Sequence, residues 1–167
     1  MSSSDITEPD LRQLREDPTL IDTIGSNLAR ELIEEKKGDK KVDKSFGETQ
    51  LRKIHSELIR LNRLAASLRA RADIAPQNQM TELKRGVVRL SYIITYQHAR
   101  QMEKHGSGKA KAINKYFSFM KKMVTQLKGS QDLPNDIEAV FNVSESIIAY
   151  YNYFDQTEKE RRSNRHG

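Results

Sequence analysis

Apolar residues recur in this chain at spacings of three and four, and this pattern restricts the fold more than any other feature. Such spacing places apolar side chains on one face of an α-helix, whereas a half-buried strand needs alternating apolar residues. Only 8 Gly and 4 Pro interrupt the 167 residues, so long helices are permitted. We therefore predict an all-α fold, a compact bundle of about five helices without a sheet.

The pattern predicts main helices that each direct one apolar face at the core. Asp17 or Thr19 stands where the first helix needs an N-cap, and a shorter turn at residues 10–16 precedes it. The predicted helices span about residues 19–35, 48–72, 79–104 and 109–128, and from 135 to about 154. Their predicted core residues are Leu20, Ile21, Ile24, Leu28 and Leu32, then Leu51, Ile54, Leu58, Leu61, Ala65 and Leu68, then Leu83, Val87, Leu90 and Ile94, then Tyr116, Phe117, Met120, Val124 and Leu127, and finally Ile137, Val140, Phe141, Ile147, Ile148, Tyr151 and Phe154.

Composition divides the chain into three parts. Residues 1–47 are predicted to form an acidic N-terminal extension with one helix, followed at 36–47 by a charged linker or disordered loop without apolar periodicity. Residues 48–155 are predicted to form a basic helical bundle core. Residues 156–167 are predicted to be a frayed, charged tail.

Positive charge is concentrated in the middle of the chain. Residues 49–128 contain 17 Lys/Arg against 4 Asp/Glu, a net charge of +13, whereas the segments before and after carry −4 and −3. A folded region with this charge repels itself unless an anion binds to it, so we predict a polyanionic partner. A lysine-rich surface that only keeps the protein dissolved is the alternative.

The cations of the second predicted helix lie opposite its apolar stripe. At 100° per residue, one arc holds five cations and is predicted to hold no acid. An ordinary solvated face mixes charge signs at i and i+4, whereas like charges there oppose helix formation. Anion binding is therefore the favoured explanation of an arc made of Arg52, Lys53, Arg60, Arg63 and Arg71.

The third predicted helix adds tyrosines to the same kind of arc. Arginine can bind phosphate with two hydrogen bonds, and tyrosine can stack on a base or bind a 2′-hydroxyl, which suits RNA. The alternative is that both tyrosines pack into the bundle and only the arginines reach solvent. The arc consists of Arg85, Arg89, Tyr92, Tyr96 and Arg100, and Lys121 and Lys122 of the fourth helix are predicted to extend it.

No arrangement of residues predicts catalysis, a metal site or a cofactor. The chain has no cysteine, its four histidines lack partners at ligand spacing, and its acidic residues are scattered. The segment 106–108 lacks the rest of a phosphate-binding loop. We expect a non-enzyme without catalytic residues, metal or cofactor; a general-base role for His98 in RNA cleavage is the alternative.

Neither a secretory signal nor a membrane span is predicted. Residues 1–9 are polar and acidic, and no stretch approaches the roughly 18 apolar residues of a membrane helix. The absence of cysteine permits a reducing compartment. We therefore expect a cytoplasmic protein.

Three short segments are distinctive when taken together. They are the basic helix start at 49–54 (TQLRKI), the tyrosine-to-arginine segment at 92–100 (YIITYQHAR) and the segment at 147–154 (IIAYYNYF). Their order, spacing and basic surroundings resemble the small subunit of type III-A CRISPR effector complexes, over about residues 48–155. These Csm-type complexes bind and destroy target RNA in antiviral defence.

The resemblance implies a non-catalytic subunit of a ribonucleoprotein interference complex. Its partners would be guide RNA and target RNA, the backbone and large subunits, and neighbouring copies of itself stacked side by side. Its basic face would hold the target RNA and the guide:target duplex through phosphate and sugar, while base pairing with the guide recognises the sequence. Cleavage would belong to other subunits.

Two other classes of function remain open. One is a helical scaffold or adaptor without nucleic acid, in which the acidic ends of one copy dock on the basic middle of the next. The other is a DNA-binding regulator, although the sequence shows no helix-turn-helix pattern. The predicted RNA-binding residues are Arg52, Lys53, Arg60, Arg63, Arg85, Arg89, Tyr96, Arg100, Lys121 and Lys122.

Overall fold

A computed structural model describes residues 9–40, 42, 46–71, 77–106 and 110–167. Within these ranges the chain forms six helices and no strand, which confirms the predicted all-α bundle. The predicted helix end at residue 72 and helix start at residue 109 lie outside the described residues. The helices are α1 (Leu11–Glu16), α2 (Thr19–Gly38), α3 (Glu48–Ala70), α4 (Gln77–His105), α5 (Lys111–Lys128) and α6 (Leu133–Arg165).

The five long helices pack in a closed order. α6 lies against α2 and α3, α3 lies against α4, α4 against α5, and α5 returns to α2. The short α1 packs against α2 and α6. Because α4 packs extensively against α3 and α5 alone among the described helices, its outer side faces solvent.

The predicted apolar stripes build the core. Every predicted core residue of α3, α4 and α5 is buried, and Ile54, Leu58 and Ile94 have no exposed surface. In α2 and α6, five predicted core residues are half-buried and pack against the core: Leu20, Ile21, Ile24, Phe141 and Phe154. Each fully buried aliphatic side chain stabilises the fold by about 1.5–3 kcal/mol relative to an exposed one, so these stripes drive the assembly of the bundle.

The C-terminal end of α2 is held to α6 by two ion pairs. Lys36 Nζ lies 2.8 Å from Asp155, and Lys37 Nζ lies 2.7 Å from Glu158. Burial alone would raise the pKa of Asp155, but hydrogen bonds from Lys36 and Lys159 lower the pKa overall. The linker prediction is therefore wrong at Lys36 and Lys37. Their charges suggest solvent exposure in the sequence, but in the structure both lysines form ion pairs with another helix.

Two apolar residues of the predicted linker belong to the core. Val42 and Phe46 are buried, and the Phe46 ring meets the rings of Tyr116 and Phe117 edge-on at 6.0 Å. The linker prediction is wrong here as well, because two isolated apolar residues in a charged segment give no periodic signal. The predicted linker residues 41 and 43–45 lie outside the described residues.

Helix α6 continues through the tail that the sequence predicts to be frayed. It ends at Arg165, and ion pairs from Lys159 to Asp155 at 2.9 Å and from Arg162 to Glu158 at 3.9 Å connect successive turns. Ion pairs between residues four positions apart stabilise a helix even where it has no apolar stripe. Apolar periodicity cannot detect this effect, so the predicted helix end was too early.

Gly25 sets the distance between α2 and α6. A Cβ at this position would lie 1.9 Å from Ser146 Oγ and 2.9 Å from the Ser146 carbonyl carbon. We expect Gly25→Ala to separate the helices and to lower the free energy of unfolding by about 1–3 kcal/mol, measured by urea denaturation. Gly38→Ala is the control, because nothing lies within 4 Å of its added Cβ. Equal effects of the two substitutions would contradict the close packing at Gly25.

His55 makes the stability of the fold depend on pH. Its ring stacks on Phe141 at 5.2 Å, and its Nδ1 lies 3.0 Å from Ser144 Oγ. Burial lowers the pKa of His55; the charge of Glu145 partly opposes this shift and that of Arg52 adds to it. Folding therefore favours the neutral ring. The contribution of His55 to the free energy of unfolding is complete above the unfolded pKa of about 6.5 and is lost as the pH falls.

We expect the free energy of unfolding to decrease between about pH 7 and pH 5. Replacement of the ring by His55→Gln should make this decrease smaller, whereas His166→Gln, at an exposed histidine, should leave it unchanged. Urea denaturation at several pH values measures both variants. If His55→Gln shows the pH dependence of the original chain, the neutral buried ring is not a source of that dependence.

Candidate nucleic-acid interface

Helices α3 and α4 come close together where Gly86 lies against Leu61. A Cβ at Gly86 would lie 2.2 Å from Leu61 Cδ2 and 3.1 Å from the guanidinium of Arg60. The absence of a side chain lets the exposed sides of the two helices form one surface. We call it the α3–α4 face and define it by its exposed residues Arg52, Lys53, Arg60, Arg63, Arg85, Arg89, Tyr92, Tyr96 and Arg100.

Glu57 connects the cations of the two helices. Its carboxylate lies 3.3 Å from Arg60 Nε and 3.7 Å from Arg89 Nη2. Arg60 of α3 and Arg89 of α4 therefore meet at one carboxylate. The structure joins the two predicted basic arcs, a relation that neither helix reveals alone.

The basic arcs are not free of acid, contrary to the prediction. Besides Glu57, Glu48 pairs with Arg52, and Glu82 pairs with Arg85 at 2.7 Å. These acids lie three or four residues from their arginines, and that spacing is the sequence signal that could have identified the pairs. Exposed ion pairs contribute only about 0–1 kcal/mol, so the arginines can still bind a phosphate.

Three cations of the face, Lys53, Arg63 and Arg100, form no ion pair with an acidic residue in the described parts of the chain. All three are exposed, so solvent counterions screen their charges without competition from an ion pair. A polyanion that binds at these cations releases the counterions, and this release favours binding.

Tyr92 and Tyr96 face solvent. Their exposed fractions are 69% and 59%, so the alternative that both tyrosines pack into the bundle is wrong. The guanidinium of Arg100 lies 5.9 Å from the centre of the Tyr96 ring and donates a hydrogen bond of 3.4 Å to its hydroxyl. The outer side of α4 thus presents aromatic rings and cations together.

The two predicted lysines of α5 lie apart from the α3–α4 face. Lys121 Nζ lies 2.7 Å from His98 Nδ1, whose Nε2 lies 2.9 Å from Asn114 Oδ1, and the His98 ring stacks on Phe117 at 4.9 Å. Lys121 is thus part of the contact between α4 and α5, on the flank of α4 away from α3. Lys122 is half-buried. Both ring nitrogens of His98 therefore lie within hydrogen-bonding distance of other side chains.

The described residues form neither a cluster of metal ligands nor a membrane-spanning helix. No group of three or more His, Cys, Asp or Glu residues in this part of the chain is placed to hold a metal ion. Every helix in the same part is too short or too polar to cross a membrane. The α3–α4 face is the candidate site because it gathers exposed cations and tyrosines of two helices.

Comparison with protein families gives a match to the family described as Csm2 Type III-A, over residues 20–157. A search of curated proteins and a search of solved structures each found no match. The matched region begins in α2, includes all of α3, α4 and α5, and ends within α6. It agrees with the family that the three sequence segments resemble. Because the match spans well over half of the sequence, the chain belongs to the Csm2 family, the small structural subunits of type III-A CRISPR complexes.

Proposed function

We propose that this small subunit is a non-catalytic RNA-binding protein that acts in the cytoplasm in antiviral defence. It holds the target RNA and the guide:target duplex through phosphate and sugar contacts. The observation that carries this proposal is that the α3–α4 face gathers the cations of two helices on one exposed surface. Base pairing with the guide supplies the sequence recognition, so the protein itself needs no base-specific contact.

The charges of the face suit phosphate. Lys53 and Arg63 form no ion pair among the described residues, and the side chains of Arg85 and Arg89 are 72% and 65% exposed despite their ion pairs. An arginine side chain donates two hydrogen bonds to a phosphate, and these charged hydrogen bonds are stronger than neutral ones. Phosphate can therefore bind beside the carboxylates or replace them at little cost.

Other surfaces of the subunit are the candidates for protein contacts. The segments before and after the basic middle carry net charges of −4 and −3, so they repel RNA. We place the backbone and large subunits, and neighbouring copies of the chain, against these regions. This division leaves the α3–α4 face to guide and target RNA.

Charge reversal at Lys53 and Arg63, the two cations of α3 without an ion pair, tests the proposal. We expect the double variant Lys53→Glu and Arg63→Glu to bind single-stranded RNA about tenfold or more weakly near 0.15 M salt, because two phosphate contacts with their counterion release are lost. Fluorescence anisotropy with an end-labelled RNA measures the affinity. The helical circular dichroism signal should stay unchanged, because both side chains are exposed.

The matched control is Arg161→Glu with Arg165→Glu on α6. Both residues are exposed, and the variant changes the net charge by the same amount. We expect it to bind RNA with nearly the affinity of the original chain. Equal losses in the two double variants would mean that net charge, and not the α3–α4 face, determines binding. If the original chain shows no RNA binding, the scaffold or adaptor function is favoured instead.

A further inference from the structure

A shallow depression lies on the outer side of α4, next to Tyr92. It has a volume of about 340 Å³ and an almost wholly apolar surface, and it is lined by Thr81, Lys84, Arg85, Val88, Arg89 and Tyr92. Val88 and Tyr92 are 39% and 69% exposed, which is unusual for large apolar side chains in this chain. Phosphate contacts need cations but no apolar surface, so phosphate binding alone does not account for this feature.

We propose that this depression binds one unpaired base of an RNA strand whose phosphates lie on the α3–α4 face. The inference rests on the proposed function and adds a subsite to it. A base within a duplex is stacked on both sides, so its ring face is not available to a side chain. The ligand is therefore a nucleotide outside the guide:target pairing, in an end, a gap or a displaced position of the strand.

The geometry of α4 favours stacking at this point. Tyr92 follows Val88 by four residues, so the two side chains lie on the same side of the helix, about 6 Å apart along its axis. Because both side chains are exposed, a flat base can place one face against the Tyr92 ring while its edge contacts Val88, and any of the four bases can do so.

The rim of the depression favours a nucleotide over an apolar protein segment. Lys84, Arg85 and Arg89 surround the apolar floor, and Lys84 forms no ion pair among the described residues. An apolar helix docked here would bury Lys84 without a compensating charge and would remove water from the exposed ion pairs of Arg85 and Arg89, which is unfavourable. A nucleotide brings an apolar ring for the floor and a phosphate for the rim.

The test compares an RNA of about 12 nucleotides with an abasic strand of the same length and charge, both bound to the full chain. We expect the original chain to prefer the RNA by at least about fivefold, the lower limit for one stacked base. Tyr92→Ala should abolish this preference, so that the two strands bind with equal affinity, whereas Tyr92→Phe should retain the preference. Tyr153→Ala is the control, because Tyr153 on α6 is 65% exposed but lies on another helix.

The abasic strand separates this inference from the proposed function. If both strands bind equally to the original chain and Tyr92→Ala changes neither, the base subsite is wrong and phosphate binding stands. If neither strand binds, the proposed function itself has failed. If Tyr92→Ala leaves RNA affinity intact but changes the oligomeric state in sedimentation, the depression is a protein contact and the base subsite is wrong.

Discussion

The packing of α6 between α2 and α3 is the contact on which the rest of the bundle depends. Ile137, Val140 and Val143 of α6 have no exposed surface, and Gly25 removes the side chain that would keep α2 at a distance. This contact joins the N-terminal helices to the basic middle of the chain, so the two regions share one core. It also places α4 on the far side of the bundle, where no described helix covers its outer surface.

The α3–α4 face follows from that arrangement. Burial of the apolar stripes of both helices turns their charged arcs outward, and the contact of Gly86 with Leu61 brings the arcs together. Glu57 reduces the repulsion between Arg60 and Arg89 at the junction, while Lys53, Arg63 and Arg100 form no ion pair among the described residues. The fold thus tolerates a local excess of positive charge, which suits the anion binding that we propose.

Apolar periodicity predicts the helices and the core well, because burial of a stripe is a property of one helix at a time. It fails at Lys36, Phe46 and the last turns of α6, where pairing with a distant helix or between charged residues decides the structure. The site is less predictable for the same reason. Exposure of the cations follows from the apolar stripe on the opposite side of each helix. The bridging role of Glu57 depends on how two helices cross, and the depression beside Val88 depends on side-chain conformations.

RNA held through its phosphates must bind with a steep dependence on salt. The decisive measurement is the affinity of the full chain for single-stranded RNA over a range of salt concentrations, with duplex DNA as the comparator. A linear decrease of log affinity with log salt is predicted, with a slope of about −3 for roughly four phosphate contacts and little preference among RNA sequences. A slope near zero, or tighter binding of duplex DNA than of RNA, would contradict the assignment of the α3–α4 face to RNA.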